Sequence, residues 1–394
     1  ASFMETVDDA ERALNTAMEL AARAAPQEHH QGDEPAKPVD FFEYKRSEDR
    51  LHPSFAQLAT SERLSTARGI IEPMMRWYED VDGNFVEQFQ TTGFDQRLWE
   101  LYLFGAFTEI GYNVDRPDPS PDFCCNAPGL EFYVEAVTVG PPPSGSPVVP
   151  PSLNSPDGIR AFLNEYMPIK FGSPLYSKLQ KRYWKRPEVQ GSPLLFAIQD
   201  FSEPGSMIRT RSAFEQYVFG YRHPWEKDEN GELRIMPERI ETHEWAGKRI
   251  PSGFFRQEGA ENVSALLFSN SGTVSKFARM GLLAGFGSGR VMIVRSGTAV
   301  DQDPNATQPR LFRSLVNSPK YRESWIEGLG VYHNPRAVVP FDPDWLPGAA
   351  HHFLHEDGNV ESLVPEWHPY GSITRIEAPV DIDALLRGMN AEEG

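Results

Sequence analysis

One run of ten residues limits this chain more than any other. LEFYVEAVTV, residues 130–139, is apolar or β-branched at nearly every position, yet it carries a glutamate near its centre. Side chains alternate along a strand, so Tyr133, Glu135 and Val137 share one face while Phe132, Val134 and Ala136 take the other. A carboxylate in so apolar a strand needs a partner. Desolvating an ionised acid without compensation costs several kcal/mol or more, so the charge must be neutralised, paired or bound to a cation. Asp122 lies just upstream, in the short strand signal PSPDFCC, across a turn containing Asn126, Pro128 and Gly129, and can supply a second ligand. Two acids on adjacent strands make a site for a hard cation. A third, Glu100, sits on the flank of a predicted helix (FDQRLWELYLFGAFTEIGYN, from residue 94), whose buried stripe holds Leu98, Leu101 and Tyr102 and which Gly111 ends.

Around this stretch the chain reads as an elaborated α/β protein. Residues 1–40 give an amphipathic helix (4–24) and a polar, proline-containing linker, and that helix could dock on its own body or form a homodimer contact. Residues 41–93 carry helical patterns interrupted at Pro73. After the long strand comes a stiff proline-rich loop, then two short helical segments between 155 and 187, then the doubly apolar run GSPLLFAIQDF (191–201), fit for a strand buried on both faces. Residues 202–260 read as a polar insertion with a hairpin turn at Asn230-Gly231. In residues 261–394 strand signals at NVSALLFSN, RVMIVRSG and RAVVPF extend the sheet, and the last fifty residues read as an irregular wrap. GFGSGR (285–290) follows a helix and leads into a strand, the reverse of a dinucleotide fingerprint, and is a turn. His351, His352, His355 and His368 could hold zinc only if the first three shared a helix, which the nearby Gly and Pro oppose.

The order helix with Glu100, strand with Pro121-Asp122, strand with Glu135-Ala136, then helix and strand, resembles the PD-(D/E)xK nuclease superfamily. The resemblance covers residues 94–201 and implies a restriction-endonuclease-like central mixed sheet flanked by helices, with the N-terminal helical region and a C-terminal sheet extension added to it. It implies that Asp122, Glu135 and the main-chain carbonyl of Ala136 hold magnesium or manganese, with Glu100 orienting the attacking water or completing a second metal site. The reaction implied is hydrolysis of phosphodiester bonds in DNA or RNA, in defence or repair. One position departs from the pattern: the lysine due two residues after the second acid is Val137. The superfamily lets this lysine migrate to the following helix, where Lys178, read as near the helix start, becomes the candidate catalytic cation. If no cation reaches the site, the alternative is a catalytically inactive nuclease-fold module that binds nucleic acid or a protein partner.

Charge narrows the partners. A net charge of −18 excludes a uniformly basic nucleic-acid coat, so phosphate must be met by a local patch. Between residues 166 and 187 stand Lys170, Lys178, Lys181, Arg182, Lys185 and Arg186 and no acid, with Tyr183 and Trp184 among them, a composition suited to backbone contact and base stacking. Arg209, Arg211, Arg222 and His223 form a second, weaker group. Only two cysteines occur, adjacent at Cys124 and Cys125, which points to a reducing, cytoplasmic setting. No signal peptide and no membrane span are apparent.

Overall fold

A run that is apolar on both faces is satisfied only inside a covered sheet, and the computed structural model puts it there. The structure describes residues 40–78, 84–117, 121–142, 145, 148–203 and 205–380, with isolated positions 12, 15, 16 and 382. The chain divides into two units, residues 1–43 and 44–394. The helix expected at 4–24 and its linker fall almost wholly outside the described residues. Among the described residues every strand belongs to the second unit.

Helix α1 (Ser65–Trp77) precedes α2 (Phe94–Glu109), which ends where Gly111 adopts φ +98°, a conformation open to a residue without a Cβ. α2 is buried on most sides, and Trp99 donates to the Ala197 carbonyl at 3.0 Å. Three strands follow as an antiparallel meander: β1 (Asn113–Asp115), β2 (Phe123–Ala127) and β3 (Leu130–Val139). The chain then crosses through Pro156–Ala161, a π-helical turn at Phe162–Tyr166 and α3 (Met167–Leu179). It returns as β4 (Leu194–Asp200), parallel to β3 and buried at every residue, with Glu135 opposite Phe196. α4 (Arg211–Phe219) covers the same face as α3, and β5 (Ala265–Phe268) pairs parallel to β4.

After α5 (Val274–Leu283) the chain leaves the large sheet to form β6 (Met292–Ala299) and β7 (Arg310–Leu315), then returns as β8 (Gly330–His333), β9 (Ala350–Leu354) and β10 (Val360–Leu363). It ends in β11 (Pro369–Glu377), antiparallel to β6. The eight-stranded mixed sheet runs β1-β2-β3-β4-β5-β8-β9-β10, and β7-β6-β11 form a separate three-stranded sheet. Among the described residues no helix is long and apolar enough to cross a membrane.

The α/β class agrees with the sequence, and several local expectations are corrected. Helix α1 continues through Pro73 instead of breaking there. The region 155–187 holds a nearly continuous helix to Leu179 and a 3-10 turn at Tyr183–Lys185. RVMIVRSG does not extend the large sheet but centres the smaller one, and RAVVPF is a loop, the sheet position falling to the preceding Gly330–His333. The supposedly irregular last fifty residues contribute β9, β10 and β11, with Gly358 at φ +88° in the turn joining the first two. Histidine at alternate-face positions hid the period of that hairpin, because His reads as polar while here it is buried.

Buried charge ties α5 and the loop before β8 to the smaller sheet. Glu323, fully buried, accepts from Lys276 at 2.7 Å, from Arg279 at 2.8 and 2.9 Å and from the Tyr321 hydroxyl at 2.6 Å. Arg295 of β6 lies 3.4 Å from Glu323 and 2.5 Å from Glu327. Burial alone would raise the Glu323 carboxyl, but the surrounding Lys276 and Arg279 hold it well below the usual carboxylate range. Its stabilising contribution is therefore present above the unfolded value of about 4.3 and is lost as pH falls below it. Glu323→Gln leaves three buried cations undercompensated and should cost about 3–5 kcal/mol in denaturant unfolding at pH 7. The gap between variant and wild type should narrow between pH 4 and 3; an unchanged gap would remove Glu323 as the centre of the network.

Candidate active site

The tight β2–β3 turn fixes which acids meet. Phe123 pairs with Val134, so Asp122, one residue before β2, lies level with Glu135. Asp122 Oδ2 accepts the Ala136 N–H at 2.7 Å, which anchors one carboxylate oxygen to the backbone of the strand that carries the other acid. Glu135 is 2 % exposed and faces α3 alongside Tyr133 and Val137. Its Oε1 accepts from the Lys178 ammonium and from the Tyr183 hydroxyl, the latter at 2.6 Å. Its Oε2 is buried without a protein partner.

Lys178 reaches the site from the last turn of α3, not from near its start as the sequence suggested. α3 ends at Leu179, and Arg182 then takes φ +50°, a left-handed turn that brings Tyr183 back beneath Glu135. Three elements thus meet: the lead-in to β2, the middle of β3 and the end of α3.

Electrostatics leaves the acids short of positive charge. Burial, then the charges of Glu135 and Glu100, push the Asp122 carboxyl up to about 7, against the pull of Lys178 and the Ala136 N–H. Burial and Glu135 likewise push the Tyr183 hydroxyl well up, so it stays a donor. Glu100 is differently placed. Its Oε2 accepts from Tyr78 and Arg97, each at 2.7 Å, with Arg116 at 3.7 Å, and its Oε1 accepts from Gln96 at 3.0 Å. Gln96 in turn accepts from the Thr138 hydroxyl at 2.9 Å, which ties α2 to β3. Glu100 is thus charge-paired with Arg97 and Arg116 behind the acid pair, with Gln96 donating to its second oxygen.

Among the described residues no group of three or more His, Cys, Asp or Glu is arranged to hold a metal ion. A divalent cation still fits the pair in kind: Glu135 Oε2 is buried and unpartnered, the Asp122 carboxyl is raised by burial and then by the neighbouring acids, and magnesium commonly takes one or two carboxylates and keeps water for its other positions.

The six basic residues do not form one face. Lys181, Arg182 and Lys185 lie exposed beyond α3, where Arg182, Lys185 and Trp184 line a groove of about 550 Å³ with Arg256. Arg186 sits over the Tyr183 ring at 5.2 Å. Lys170 stands toward the other end of α3, donates to the Gly140 carbonyl at 2.9 Å, and has its ammonium shifted down by burial. The zinc alternative fails on geometry: His351 and His352 point to opposite faces of β9, and His355 pairs with Glu361 at 3.0 Å.

Sequence reasoning missed the supports. The Arg97–Glu100 pair was readable as an i,i+3 helix contact. Gln96 was readable in the same way, as an i,i+4 contact, whereas Tyr78, Arg116 and the Tyr183–Glu135 bond join distant segments and left no local signal. In comparisons of the chain with protein-family models, with curated proteins and with solved structures, nothing matches.

The raised carboxyl of Asp122 makes a test of the site that needs no substrate. Its folded value, about 7, lies above the roughly 3.9 of an unfolded chain, so the stability it contributes is present below pH 4 and lost as pH rises to 7. Asp122→Asn should therefore be more stable than wild type at pH 8 in the absence of divalent cations, and the advantage should vanish near pH 4. Urea unfolding across that range reads it directly, and a constant difference would mean that Asp122 is not the strained acid.

Proposed function

We propose that the second unit is a metal-dependent nuclease of the PD-(D/E)xK type, hydrolysing phosphodiester bonds of DNA or RNA with magnesium or manganese. The observation that carries this reading is the Lys178 ammonium on Glu135, beside an Asp122 fixed to the Ala136 N–H, three groups drawn from separate elements. The order of elements supports it: helix, antiparallel three-strand meander, crossover helix, then a strand parallel to the third is the arrangement expected of a restriction-endonuclease-like core.

On this reading Asp122 and Glu135 would hold the cation, which when bound would supply positive charge to the scissile phosphate and make water a better nucleophile. Tyr183 fixes the Glu135 carboxylate through Oε1 and leaves Oε2 for ligation. Lys178 stands where the Val137 side chain, buried and uncharged, supplies nothing, and its ammonium stabilises charge developing on phosphate oxygens. Glu100, paired with Arg97 and Arg116, holds α2 to the segment after β1 and adds negative potential at Asp122 that favours a cation. Lys181, Arg182 and Lys185, exposed just past Lys178, contact the phosphate backbone, and the half-buried Trp184 offers a stacking edge.

Incubation with plasmid, single-stranded DNA and RNA in magnesium or manganese tests the proposal. Asp122→Ala should abolish cleavage, and Lys178→Ala should lower kcat by about 10²–10³ with nucleic-acid binding retained. Cleavage that persists in Asp122→Ala sinks the site. Binding without cleavage in the wild type would instead favour the non-catalytic nuclease-fold module. In either case Lys181→Glu/Lys185→Glu should weaken binding for all sequences and reduce the steepness of its salt dependence by about one unit per lost contact.

A further inference from the structure

A cavity of about 1010 Å³ lies at the opposite end of the large sheet from the acid pair, beyond β4, β5 and β8. It is lined by Arg211, His352 and His368, which are 8 %, 8 % and 3 % exposed. Each carries nitrogen with no protein partner: Nε of Arg211, Nε2 of His352, and both ring nitrogens of His368. Buried polar nitrogens left open in this way cost free energy, and all four belong to residues that line one cavity.

The groups are held, not loose. Arg211 donates to the Gly328 carbonyl at 2.8 Å, and His352 Nδ1 meets the Ser362 hydroxyl at 2.8 Å and stacks on Tyr332. Gly330 lies close to both: a Cβ there would stand 3.1 Å from an Arg211 terminal nitrogen and from the Tyr332 ring, and in ordinary contact with His352 Nε2 at 3.5 Å. Burial, then the Arg211 charge, push His352 down to about 3 and His368 down to about 2, so both are neutral imidazoles offering N–H donors beside one fixed cation. A cation next to the histidines opposes a metal ion and favours an anion.

We propose that this cavity binds the phosphoryl group of a small phosphate monoester, with Arg211, His352 and His368 donating to its oxygens. Donors from three separate side chains suit three terminal oxygens better than the two of a carboxylate. The cavity has room for an organic body, and Val300, Pro347 and Val360 give it apolar wall. Glu215 lies beside Arg211, its carboxyl raised by burial, and the exposed Asp301, Asp303 and Asp344 stand among the lining residues. Those acids repel polyanions and accept from ligand hydroxyl or amino groups, so the site takes a monophosphate and not a nucleic-acid strand or a triphosphate.

Isothermal titration of the full chain without divalent cations tests the assignment, using adenosine 5′-monophosphate, inorganic phosphate, acetate and ATP. The monophosphate should bind most tightly, with acetate and ATP each weaker by about tenfold or more. His352→Phe and His368→Phe should weaken monophosphate binding by about tenfold or more, yet leave the unliganded melting temperature equal or higher, because each removes an unsatisfied buried donor. Asp122→Ala should leave this binding unchanged, which separates the site from the acid pair and makes its fate independent of the nuclease reading. No saturable binding of either phosphate probe, binding untouched by both phenylalanine variants, equal affinity for acetate or for ATP, or loss of binding in Asp122→Ala would each overturn the proposal.

Discussion

The desolvated charge of Glu135 is the constraint on which the rest of the core depends. A carboxylate in the centre of a doubly covered strand has to be met by donors that the strand itself cannot supply, so other elements must come to it. Tyr183 and Lys178 arrive from the end of α3, and Asp122 is brought level by the β2–β3 register and tied to Ala136. The meeting sets the position of α3 on the sheet as firmly as its apolar contacts do, since Phe171, Leu175 and Leu179 pack on the same face. Removing both Tyr183 and Lys178 as donors would leave Oε1, like Oε2, to bear the full cost of desolvation.

Buried charge is settled in two different ways in this protein, and the difference separates structure from function. Around Glu323 every oxygen has a partner and cations outnumber acids, so the carboxyl is driven well down and the network fastens α5 and the loop before β8 to the smaller sheet. Around Asp122 the balance is reversed: acids outnumber the one ammonium, a carboxyl is driven up and an oxygen is left without a partner. The cavity beside Arg211 has the opposite deficit, donors without acceptors.

Much of the first half of the chain was legible in advance, for reasons of pattern. Apolar runs that no helix period fits gave β3 and β4, Gly111 marked the end of α2, and the short gap with Pro128 and Gly129 gave the β2–β3 hairpin. The C-terminal half was misread where burial contradicts residue type. His351, His352 and His368 are polar in any pattern analysis, yet all three are buried, so their strands passed for irregular wrapping. Lys276, Arg279 and Arg295 escaped notice for the same cause, because a buried, paired cation looks in sequence like a solvated one.

The sequence by itself determined that an acid would be buried in a sheet and that an acidic chain would concentrate positive charge just after it, because alternation and composition are local properties. Only the tertiary structure decided how those charges are satisfied. Lys178 stands on Glu135 although the helix ends one residue later, Glu100 spends both oxygens on Tyr78, Arg97 and Gln96, and Arg211 meets His352 and His368 from segments more than a hundred residues apart. The reason is physical: which donor reaches a buried acceptor depends on strand register and on a left-handed turn at one arginine, and neither of these is fixed until the whole sheet has assembled.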